Sequence, residues 1–110
     1  MTLDASAQRD LIEALRLLNE AKATEAAIIV TGVFERHPES VDAAHLLALC
    51  QKRLGNFSAA IKAFQSAQRL DPLNATIAGN LANLLSQMGD RQRSVDTYLR
   101  ALELNPDSPE

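Results

Sequence analysis

Residues 44–72 read AHLLALCQKRLGNFSAAIKAFQSAQRLDP, and residues 78–106 read AGNLANLLSQMGDRQRSVDTYLRALELNP. Laid over each other, the two stretches agree slot by slot at an interval of 34 residues, without a gap. Leu47 and Ala48 fall on Leu81 and Ala82, Gly55 on Gly89, Ile61 on Val95 and Phe64 on Tyr98. Ala67 falls on Ala101, Leu70 on Leu104 and Pro72 on Pro106. Pro38 lies one further interval upstream of Pro72. A fixed period of this length marks a stack of like supersecondary units.

Each unit divides into two helices. Ser40 stands before a helix beginning at Val41, where its hydroxyl can accept a hydrogen bond from a free backbone N–H. Leu46, Leu47, Leu49, Cys50 and Leu54 then recur at helical spacing. Gly55-Asn56 ends that helix, because glycine takes the positive φ of a tight C-cap at little cost. Ala60, Ile61, Phe64, Ala67 and Leu70 form the apolar stripe of a second helix, and Pro72 bars its continuation. In the next unit Asn74 is the cap, Gly89-Asp90 the turn, and Val95, Tyr98, Ala101 and Leu102 the second stripe. Ala48, Ala60, Ala67, Ala82 and Ala101 mark places where two helices approach closely, and Ser94 is a small-for-small replacement in the slot of Ala60.

Ala44, Leu47, Ala48, Gly55, Ala60, Phe64, Ala67 and Pro72 resemble the tetratricopeptide repeat pattern. So do Ala78, Leu81, Ala82, Gly89, Tyr98, Ala101 and Pro106. The resemblance covers about residues 7 to 106. It implies an all-α fold of six helices: three tandem helix-turn-helix repeats in a short right-handed solenoid. The repeats are read as 7–39, 40–74 and 75–108 of one domain, with helix breaks near residues 22, 39, 56, 73 and 90. In the first unit Ala26, Val30, Val33 and Pro38 hold the interval. Its first helix keeps step only when shifted by one, so that Leu11, Ala14, Leu15 and Leu18 match Ala44, Leu47, Ala48 and Gln51. This predicts a one-residue shortening near Ala21-Lys22-Ala23, a turn without glycine.

Bulk composition agrees with helix packing. Aromatic residues make up 4% of the 110 residues and hydrophobic residues 46%, a balance too poor in aromatics for a β-sandwich. A net charge of -3 argues against nucleic acid as a partner. The single cysteine, Cys50, permits no disulfide within the chain, and His37 and His45 do not join it in a zinc spacing. The start, Met1-Thr2-Leu3-Asp4-Ala5-Ser6, lacks the form of a secretory signal, and no apolar run is long enough for a membrane span. A cytoplasmic setting is expected.

The resemblance implies that the first helices of the pairs line a concave surface suited to a peptide or partner protein. By the shifted register those positions are Arg9, Ile12, Glu13, Arg16, Asn19 and Glu20, then Asp42, His45, Leu46, Leu49, Lys52 and Arg53. In the third unit they are Thr76, Gly79, Asn80, Asn83, Ser86 and Gln87. Arg16, His45, Leu49, Arg53, Asn80 and Asn83 are the expected peptide contacts, in a groove mildly enriched in positive charge. Asn80 and Asn83 lie one turn apart and can donate to and accept from a peptide backbone. The family's clamp for chaperone C-termini uses lysines, asparagines and an arginine; His45, Leu49, Thr76 and Asn80 occupy those positions, so no such clamp is expected.

No catalytic set is legible. Cys50 reads as a buried small hydrophobe, His37 as a charge at a helix end and His45 as a largely solvated groove residue. No phosphate loop, nucleophile–base pair or metal cluster is found, so neither enzymatic activity nor a cofactor is expected. The leading function is a protein-interaction module. The alternative is the N-terminal docking region of a larger enzyme such as a sulfotransferase, glycosyltransferase or hydroxylase, for which Pro106-Asp107-Ser108-Pro109-Glu110 reads as a linker. Val95, Leu99 and Leu102, beside an inward-facing Tyr98, form an apolar edge. Continuation of the chain is expected to cover it, or a homodimer to form there.

Overall fold

The computed structural model describes residues 3–104. The repeat slot of Pro106, residue 108 as the last repeat's end and the reading of 106–110 as a linker lie outside those residues. Among the described residues the chain forms six helices and no strand: α1 (Ala5–Asn19), α2 (Ala23–Arg36), α3 (Val41–Arg53), α4 (Phe57–Leu70), α5 (Ala75–Gln87) and α6 (Arg91–Leu104).

Local chemistry sets the helix ends. The Ala7, Ala43 and Ile77 N–H groups donate to Asp4 Oδ1 at 2.7 Å, Ser40 Oγ at 3.1 Å and Asn74 Oδ1 at 3.1 Å. Each satisfies one of the unpaired donors at a helix start. Gly55 and Gly89, with φ of 80° and 81°, turn the chain into the second helix of their pairs.

The first turn departs from the sequence expectation. No residue is missing there. Ala21 has a φ of 63° and occupies the slot of Gly55 and Gly89. The same closing hydrogen bond recurs in all three turns: Lys22 N–H to Leu17 O, Asn56 N–H to Gln51 O and Asp90 N–H to Leu85 O, at 2.8, 2.9 and 3.0 Å. Asn19 and Arg53 end their helices in matching positions; α1 differs by starting earlier, with 15 residues against 13 for α3. The true register therefore aligns Ala14 with Ala48 and Ala82, all nearly or fully buried.

Two apolar layers hold the stack. Ala14, Leu17, Leu18, Ala26, Val30, Leu46 and Cys50 join the first pair to the second. Ala44, Ala48, Ala60, Phe64, Ala67, Ile77, Leu81, Leu84 and Leu85 join the second pair to the third. Full burial of one such side chain contributes about 1.5–3 kcal/mol. The alanines sit between helices as the repeat pattern requires. Ser94 keeps its slot by donating its hydroxyl to the Ala82 carbonyl at 2.9 Å, so its polarity is satisfied.

Packing is uneven along the stack. Phe64 is fully buried because α5 covers it, whereas its counterpart Tyr98 is 41% exposed. Tyr98 is thus half outside rather than inward-facing. Val95 and Leu99 beside it are 53% and 52% exposed, while Leu102 is partly covered.

Candidate functional site

Helices α1, α3 and α5 are the first members of their pairs. A wide, open cleft of about 860 Å³ runs along α1 and α3. Its apolar lining comes from Leu3, Leu11, Ile12, Leu15, Val41, Leu46 and Leu49, and Gln8, Glu39, Ser40, Asp42 and His45 complete it. Ile12 is 70% exposed and Leu15 49%. These are large aliphatic side chains left uncovered on a helix whose opposite side is packed.

At the α3–α5 junction His45 and Asn80 meet, with Asn80 Nδ2 3.1 Å from His45 Nε2. The imidazole lies tilted against Phe64, ring centroids 6.0 Å apart. Burial lowers the His45 pKa below its ordinary value, with Asp42 opposing. A neutral ring that accepts from the Asn80 amide fits this arrangement. His45 is therefore half-buried and engaged, not the largely solvated residue expected.

Of the six expected contacts, His45 and Leu49 line the cleft, Asn80 meets His45, and Asn83 is exposed one turn further along α5. Arg16 and Arg53 are not in the cleft. Arg16 holds Glu13 at 2.6 Å and also pairs with Glu20. In true register it matches Cys50, whose side faces the preceding helix pair, so Arg16 points off the N-terminal end of the stack. Arg53 lines a separate cavity at the first turn with Ala21, Lys22, Ala23, Thr24, Glu25 and Leu54. The expected positive charge is absent from the cleft, whose charged lining is Glu39 and Asp42. Leu11 and Leu15 are the lining residues that the shifted register turned away.

Cys50 is fully buried and burial pushes its thiol up to about 11, far from a nucleophile's range. His37 sits at the end of α2, 3.6 Å from Asp4 and 4.0 Å from Glu39. Among the described residues no helix is long and apolar enough to cross a membrane.

Two tetratricopeptide repeat models match the sequence, one over residues 3–75 and one over residues 53–110. The chain belongs to the tetratricopeptide repeat family. No curated protein matches it. Among solved structures it is similar to the type III secretion translocator chaperone SycD of Yersinia enterocolitica. That likeness has a TM-score of 0.91 at 16% identity and covers 97% of this chain and 81% of the other. MamA of Desulfovibrio magneticus RS-1 is also similar, with a TM-score of 0.86 at 20% identity over 92% of this chain. The chain spans 57% of that MamA structure's length. At these identities the likeness establishes the fold, an all-α tetratricopeptide solenoid.

Proposed function

We infer that this chain is a protein-interaction module that takes a segment of another polypeptide along the face formed by α1, α3 and α5. The cleft carries this reading. It leaves Ile12 and Leu15 wet on an otherwise packed helix, and uncovered aliphatic area of this kind favours a partner by about 25 cal/mol per Å². The His45–Asn80 pair places polar groups at its far side, where a peptide backbone finds both a donor and an acceptor. One of the similar structures, SycD, was solved with a peptide of the translocator YopD, which is in keeping with this use of the fold.

Hydrogen exchange on the chain bound to a captured partner tests the reading. Protection is expected on α1, α3 and α5 around Ile12, Leu49 and Asn83. Protection confined to α2, α4 and α6 would overturn it.

A further inference from the structure

The cleft has a sign as well as a shape. Its charged lining is Glu39 and Asp42, and neither lysine nor arginine lines it. Both carboxylates lie at the same end, where α3 begins: Glu39 immediately precedes the cap Ser40, and Asp42 is in the first turn. Glu39 has only His37 near it, at 4.0 Å, and Asp42 has no lysine or arginine partner among the described residues. Four of the chain's other carboxylates are neutralised by a neighbouring cation. Glu13, Glu20, Asp10 and Asp90 each hold an arginine. Glu39 and Asp42 are the carboxylates that border uncovered leucine and isoleucine side chains in the cleft.

Resting on the groove-binding reading above, we propose that the occupant is a segment of another protein that sets aliphatic side chains against Ile12, Leu15 and Leu49 and places a lysine or arginine beside Glu39 and Asp42. An acidic segment meets like charge there, and a purely apolar one leaves two carboxylates desolvated without a partner. The chain's own last residues, 107–110, carry Asp107 and Glu110 and no cation, so they are the wrong sign for this end of the cleft. The cation selects the partner and the direction in which it lies. The aliphatic side chains supply most of the affinity.

A displayed library of random twelve-residue peptides, selected on the immobilised protein, tests this. Selected peptides are expected to carry two or three aliphatic residues with a lysine or arginine near one end. Synthetic copies should bind wild type, lose at least tenfold with Ile12→Ser/Leu15→Ser, and lose about fivefold at low salt with Glu39→Gln/Asp42→Asn. Ile12 is 70% exposed, so its replacement leaves the core intact, and circular dichroism checks the fold of each variant. Peptides that depend on Ile12 and Leu15 but carry no preference for a cation would overturn the proposal and leave the groove reading standing. No enrichment, or peptides indifferent to Ile12→Ser/Leu15→Ser, would overturn both. Should the chain's own sequence emerge among the selected peptides, the partner is a second copy and the proposal of a different protein falls.

Discussion

At the scale of single residues, Ala21 is the most instructive position. It holds a left-handed backbone that costs an L-residue about 1–2 kcal/mol, where its two counterparts are glycines. Ala21→Gly should therefore raise stability by about 0.5–1 kcal/mol, net of glycine's larger unfolded-state entropy. Gly55→Ala should lower it by about 1 kcal/mol. A Cβ at Gly55 would meet no atom within 4 Å, so that change reads backbone strain alone. Urea midpoints of the two variants check both signs. His45 carries the second prediction. Its pKa is lowered in the folded state by burial, so the unfolded chain takes up the proton first as pH falls through 6.5. Stability from this residue is thus lost on acidification and unaffected well above that pH. The fall in urea midpoint from about pH 7.5 to 5.5 should be smaller in His45→Gln than in wild type. Asp4 acts in the same direction at lower pH: the Ala7 N–H lowers its pKa, so its contribution is present above 3.8 and lost only in stronger acid.

At the scale of helices, the caps and the coverage differ from element to element. Ser40 is buried and its hydroxyl serves the α3 start, so Ser40→Ala should cost about 1 kcal/mol, measured by thermal unfolding. Among the described residues helix α6 has a helix packed on one side only, α5. Tyr98 is 41% exposed where Phe64 in α4 is sealed, and α6 amides should exchange about tenfold faster or more than α4 amides. Equal protection in the two helices would falsify this account of α6. The helices themselves were legible from sequence because glycine, proline and interfacial alanine each answer to a backbone or packing demand that few other residues meet. Ser40 and Asn74 as caps followed from the same logic. The phase of α1 was not legible, since the marker glycine is replaced by Ala21. An error of one residue rotates a helix by about 100°. That rotation turns Arg16 toward the groove and Leu11 and Leu15 away from it, whereas in the structure Leu11 and Leu15 line the cleft and Arg16 pairs with Glu13 and Glu20. The interval Ala14–Ala48–Ala82 was the signal that could have fixed it.

At the scale of the whole molecule, the stack measures 38 × 29 × 23 Å and ends on an apolar edge. Val95 and Leu99 stay more than half exposed there. We expect the 110-residue chain to associate through this edge in light scattering, and Val95→Glu/Leu99→Glu to return it to a monomer. A wild-type monomer at high concentration would count against it. The three turns within the helix pairs share one hydrogen bond and one backbone conformation, in step every 34 residues. This has a genetic consequence. A crossover joining the codon for Ala21 to that for Asn56 would delete one helix pair and leave the next turn in phase. The shortened product would bring Ile12 and Leu15 alongside Asn80 and Asn83 and discard Asp42 and His45 altogether. Recombination can therefore swap what the groove recognises in whole blocks, without a new fold having to be found.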